Sequence, residues 1–140
     1  MDDTVDVLQT LSEQECWQKL SEGSLGRLVL HAAGEIDVFP VNYVVTDRLL
    51  YIRTAPGTKL VELTIHPDVV FEIDHVDDSS AYSVVVKGLA EEVQKQDEID
   101  RADALPLVPF VPTLKYRWVR VSPTSVSGRA FRRGAEPDRY

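Results

Sequence analysis

Cysteine is almost missing from this chain. Cys16 stands alone, so no internal disulfide can form. It falls among apolar positions of a predicted helix and reads as a small buried hydrophobe, not a nucleophile. Histidine is scarce as well. His31, His66 and His75 lack the close spacing of metal ligands, and no second cysteine completes a zinc site. No apolar run approaches the roughly 20 residues of a membrane helix. Internal repeats and low-complexity tracts are absent. The opening Met1-Asp2-Asp3-Thr4 is acidic and lacks the basic-then-apolar pattern of a secretion signal. The expectation is a cytoplasmic protein without a membrane partner.

Familiar catalytic signatures are missing too. Serines are plentiful, but no Gly-x-Ser-x-Gly elbow occurs. Glu91 and Glu92 are neighbours on a predicted strand and therefore face opposite sides. Glu72 and Asp74 share one strand face and are the better candidates for paired acids. Nothing resembles a self-sufficient catalytic centre, so an enzyme built on this chain would depend on a bound cofactor.

What is present fits one globular domain. The 140 residues are 44% hydrophobic and 27% charged, enough for a core but not for two. The expected division is a flexible segment over 1–10, a folded domain over 11–133 and a tail over 134–140. A net charge of −8 argues against general nucleic-acid binding, which needs a basic field. The charge is uneven: from Lys115 to Tyr140, seven basic residues meet two acidic ones. That basic segment is either a solvated tail or a contact for an acidic partner or anionic ligand.

Periodicity supplies the elements. Residues 1–10 show none and are predicted to lie loosely on the surface. Ser12-Glu13-Gln14-Glu15 matches a capping box, with Leu11 and Cys16 placed as a staple across the helix start. Cys16, Trp17 and Leu20 give that helix an apolar face, and Gly23 stops it. Strands follow at Leu25 to His31, Ile36 to Val45 and Arg48 to Thr54, joined by turns at Ala32-Ala33-Gly34 and Thr46-Asp47. Pro40 interrupts the second of these, so its missing amide must fall at an edge or a bulge. Thr58 to His66 reads as a helix with Leu60, Val61 and Leu63 inward, ended by Pro67.

Val69 to Val76 and Tyr82 to Val93 are further strands, the latter bending at Gly88. Asp97 to Ala104 is a short helix capped by Asp97. Three prolines between Leu105 and Pro112 make a rigid connection. A last strand runs from Tyr116 to Val121 and Val126 to Phe131, broken at Ser122-Pro123. Six or so strands joined by short turns favour a mainly β protein with short helices, an antiparallel barrel rather than a parallel α/β sheet. Phe39, Tyr43, Tyr51, Phe71, Tyr82 and Trp118 fall in strands as core candidates. Trp118, beside the basic segment, is also placed to border a flat ring.

One stretch carries chemistry. In Arg53-Thr54-Ala55-Pro56-Gly57-Thr58-Lys59 a strand ends, a Pro-Gly turn follows and a helix begins. Free amides and the positive end of the helix dipole converge there. Such a terminus attracts phosphate; Lys59 adds a charge, Thr58 a hydroxyl and Arg53 a forked donor. The alternative is an ordinary turn with a threonine N-cap. The Walker spacing is absent.

The ordered segments resemble the pyridoxamine 5′-phosphate oxidase-like flavoproteins, particularly their short actinobacterial type. The resemblance rests on Gly26-Arg27-Leu28, Phe39-Pro40-Val41-Asn42-Tyr43-Val44-Val45, Arg53 to Leu60, Val70-Phe71-Glu72-Ile73-Asp74, Tyr82 to Gly88 and Trp118 to Arg129. It covers the chain from about Leu11 to Arg129. It implies a six-stranded antiparallel split β-barrel that forms a homodimer, with FMN in the groove between subunits. By position, Val41, Asn42 and Tyr43 would lie along the isoalloxazine ring. Arg53 and Thr54 would sit near the ring or ribityl chain, Thr58 and Lys59 would bind the phosphate, and Trp118 would reach across from the other subunit. Relatives with this compact form include nitroimidazole-resistance-type reductases, and others bind a deazaflavin coenzyme instead of FMN.

The resemblance therefore implies an oxidoreductase acting on a small molecule, or else a flavin carrier or sensor without turnover. True pyridoxamine-phosphate oxidases carry an Arg-x-His pair near the carboxy terminus. Arg129-Ala130-Phe131 and Arg132-Arg133-Gly134 offer no such histidine. Those oxidases also carry a basic residue on the strand matching Phe39–Val45, which has none here. The vitamin oxidase activity itself is thus not implied.

Overall fold

The computed structural model describes residues 8–32, 34–107, 117–132 and 138. Arg133 and the 134–140 tail apart from Asp138, the end of the proline-rich connection, and Tyr116 lie outside the described residues.

Helix α1 (Glu13–Glu22) begins where its local signals put it. Ser12 Oγ accepts from the Glu15 amide at 3.1 Å while Glu15 Oε1 accepts from the Ser12 amide at 2.9 Å. Cys16, Trp17 and Leu20 are buried, and Gly23 caps the far end. Strands β2 (Leu25–Ala32), β3 (Glu35–Thr46) and β4 (Leu49–Thr54) then form the predicted antiparallel meander. The β3–β4 loop has two residues, Asp47 and Arg48, at φ 51° and 57°. Both left-handed conformations follow the twist of the flanking strands, at a steric cost that glycine would avoid.

Helix α2 (Thr58–Ile65) buries Leu60 and Leu63. Val61, expected inward, is 58% exposed, because an eight-residue helix lying on a barrel turns only one stripe to the core. Strands β5 (Asp68–Val76) and β6 (Ser80–Glu92) form a long hairpin, followed by α3 (Gln96–Asp103). Asp97 does not cap α3: Lys95 holds the N-cap position, without a side-chain bond. Asp97 sits within the first turn, where Arg101 pairs with it across one turn.

The final strand β7 (Arg117–Arg132) is continuous, not broken at Ser122-Pro123. Its proline is accommodated by the partner: the register shifts between Lys87 and Gly88, and Gly88 faces Pro123. A Cβ on Gly88 would lie 2.4 Å from the Ser122 carbonyl oxygen, so only glycine admits this close approach. A second departure is β1 (Leu8–Thr10), in a segment predicted to be loose. It pairs with Arg129–Phe131 of β7, a partner over a hundred residues away that local pattern cannot reveal.

Strand order β7-β4-β3-β2-β5-β6, with β6 returning to β7, closes six antiparallel strands into a ring, and β1 adds to the β7 edge. The barrel is filled by Leu28, Leu50, Phe71, Val84, Val86 and Val121, each fully buried. Burial of such side chains contributes about 1.5–3 kcal/mol each. Gly128 lets α1 close the barrel: a Cβ there would meet Cys16 Sγ at 2.8 Å and Leu11 Cδ1 at 3.0 Å. No helix among the described residues is long and apolar enough to cross a membrane.

Candidate functional site at the parting of β3 and β4

Strands β3 and β4 part before either one ends. Pairing of β3 with β4 ends at Tyr43 opposite Ile52. Strand β4 runs on to Thr54, but its partner there is β7, with Arg53 opposite Trp118 and Thr54 opposite Arg117. Strand β3 meanwhile stays with β2, placing Val41 against Gly26 and Asn42 against Leu25. Beyond Tyr43 the two strands no longer pair, so Val41 and Asn42 on β3 and Arg53 and Thr54 on β4 lie past the end of their shared ladder. Pro40 lies in the part of β3 paired only with β2, as its lost amide requires.

Helix α2 borders the same opening. Gly57 is its N-cap and supplies no side-chain bond, and its first turn carries no acidic residue. Helices α1 and α3 both have acids in the first turn. Only α2, of the three, therefore leaves its positive end for an outside anion. Thr58 is exposed, and Lys59 leans back to β3 with Nζ 5.3 Å from the Phe39 ring centroid. Phe39, a motif residue and core candidate, thus lies under the lysine, a contact that local pattern does not reveal because it joins two elements.

The remaining expected site residues point inward. Val41 and Asn42 are 5% and 8% exposed. Asn42 Nδ2 donates to the Ser24 carbonyl at 3.2 Å, and the Tyr43 hydroxyl donates to the Leu20 carbonyl at 2.6 Å. Burial pushes the Tyr43 hydroxyl far above its ordinary range, so it stays a neutral donor that ties β3 to α1. Thr54 is buried and its hydroxyl donates to the Ala55 carbonyl. What β3 offers at the opening is accordingly its backbone edge.

Within the chain, Trp118 packs under α3. It is 2% exposed, within a small cluster of Tyr51, Val93 and Ala102. Its indole Nε1 donates to Asp103 Oδ1 at 2.7 Å, and the Arg53 guanidinium lies 5.7 Å from its ring centroid. Beside it the Tyr51 hydroxyl donates to Glu98 at 2.8 Å, and Arg120 pairs with Glu98 at 2.6 Å. The Arg120 hydrogen bond, aided by Tyr51, holds the Glu98 carboxyl below its usual range.

The paired acids are otherwise employed. Glu72 and Asp74 both contact the Arg27 guanidinium, at 2.6 and 2.9 Å, on the outer barrel face. Among the described residues no group of three or more His, Cys, Asp or Glu could hold a metal. The concave spaces that the described residues line include an apolar groove of about 420 Å³ over Val29, Ile36 and Val70. Another, of about 720 Å³, lies between α3 and Tyr51. Arg53–Lys59 lines neither of these two.

The family model for pyridoxamine 5′-phosphate oxidase matches residues 12–130. The chain belongs to this family. Its fold is that of a Corynebacterium glutamicum protein named for the same oxidase, at 47% identity and TM-score 0.86, covering 97% of this chain and 99% of that one. An FAD binding protein from Mycobacterium smegmatis is 40% identical with TM-score 0.77, covering 89% and 98%. An uncharacterized protein of Mycobacterium tuberculosis is 38% identical over 96 residues, or 69% of this chain and 87% of that one. Family membership gives the split a meaning that its geometry alone leaves open.

Proposed function

We propose that this chain binds a flavin nucleotide in the split and works as a flavin-dependent oxidoreductase on a small molecule. The observation that carries the reading is the parting of β3 and β4 at Tyr43–Ile52, bordered by the acid-free start of α2. The donor set suits the group. Thr58, Lys59 and the first amides of α2 would take the phosphate, Arg53 the ribityl chain or ring edge, and the β3 backbone at Val41–Tyr43 the polar rim of the ring. A bound flavin would supply the two-electron chemistry, and the protein would position and shield it.

FMN is the proposed cofactor, with a deazaflavin coenzyme as its alternative. The FAD-binding relative favours one further reading, in which the same phosphate site holds the flavin half of FAD. A homodimer with the cofactor between subunits completes the proposal. Ile36 and Val38 on β3, and Val61 and Ile65 on α2, are 68%, 57%, 58% and 64% exposed, and a second copy would cover them. The acid–base poverty of the opening equally suits a flavin carrier or sensor. Reduction by a nicotinamide donor, followed by reoxidation with candidate acceptors, separates the two. Turnover supports the enzyme, and a flavin reduced once without passing electrons on supports the carrier.

A further inference from the structure

Arginine loses much side-chain freedom when a ligand must order it, and a support that orders it beforehand removes that cost. Arg53 has such a support. Its guanidinium lies over the face of Trp118, directly opposite on β7. The ring is itself fixed twice: Asp103, the last residue of α3, accepts from its N–H, and Tyr51 packs on it edge-on, with centroids 6.4 Å apart and planes at 75°. Tyr51 is held in turn by Glu98 of α3. A chain of contacts therefore runs from α3 through Trp118 to Arg53 at the mouth of the split.

We infer that Asp103 and Trp118 are positioning residues that set the Arg53 guanidinium for the cofactor, so that α3 governs flavin affinity without touching the flavin. This rests on the flavin reading above. Trp118 reaches the site by holding an arginine of its own chain. Asp103 is exposed at a helix end, so its replacement leaves the barrel core intact.

The test is FMN titration of the full chain, followed by flavin fluorescence and by the visible circular dichroism of the bound ring. Asp103→Ala should weaken FMN about three- to tenfold, the order of a half-buried cation–π contact, and alter the dichroism. Asp103→Asn, which keeps an acceptor oxygen, should restore both. In an Arg53→Ala background Asp103→Ala should have no further effect. Unchanged affinity in Asp103→Ala, failure of Asp103→Asn to rescue, or an equal loss in the Arg53→Ala background would each overturn the inference. If the wild-type chain takes up neither FMN, FAD nor a deazaflavin, the flavin reading falls with it. Uptake by wild type that ignores Asp103 removes this inference alone.

Discussion

Lys59 stands at the first turn of α2 with its ammonium over Phe39, and that placement makes the sharpest residue-scale prediction. Lys59→Ala should cost about 1.5–3 kcal/mol of FMN affinity, the range for a hydrogen bond to a charged group. Riboflavin, which lacks the phosphate, should bind both proteins alike. Two backbone positions test the packing. A Cβ on Gly26 would lie 2.3 Å from Phe71 Cζ and 3.0 Å from the Glu72 carbonyl oxygen. Gly26→Ala should therefore destabilise by about 1–3 kcal/mol, as overpacking does, read as a lowered midpoint in urea. Arg48→Gly should do the reverse. It relieves a left-handed conformation and gives up only an exposed pair with Glu13, which is worth little. The expected gain is up to about 1 kcal/mol in the same assay.

Among the elements, α3 depends on charge. Its Glu98 accepts from Tyr51 and pairs with Arg120, which lowers its pKa from the ordinary 4.5. A carboxyl depressed on folding adds stability above its unfolded value and loses it as pH falls through the folded value. The docking of α3 should thus weaken below about pH 4.5, visible as faster amide exchange in α3 than in the barrel. Glu98→Gln should flatten that dependence. The elements also show what the sequence could tell. Helix α1 was legible because its capping box and Gly23 are local signals. Strand β1 was not, since its order comes from pairing with Arg129–Phe131. The unbroken β7 was hidden because its proline is accommodated by Gly88 of another strand. The Arg53–Lys59 stretch was legible as strand, turn and helix start, but Phe39 under Lys59 and Asp103 on Trp118 are contacts between distant elements.

At the scale of the molecule, ring closure and family membership agree: six antiparallel strands form a barrel in which β3 and β4 part beside the Arg53–Lys59 stretch. The proposed dimer follows from the exposed apolar residues at its border. Val38→Lys should leave the fold unchanged, because Val38 is 57% exposed. It should shift the chain toward monomer in sedimentation and lower flavin uptake in parallel. A dimer insensitive to this change would place the second copy elsewhere. In the proposed function the Arg53–Lys59 junction anchors a flavin phosphate. The most direct measurement is titration of the purified chain with FMN, FAD, a deazaflavin coenzyme and riboflavin, for wild type and Lys59→Ala. Wild type should take up a phosphorylated flavin strongly and riboflavin more weakly, and Lys59→Ala should lose that preference. Absence of uptake, or a preference that survives the loss of Lys59, would contradict it.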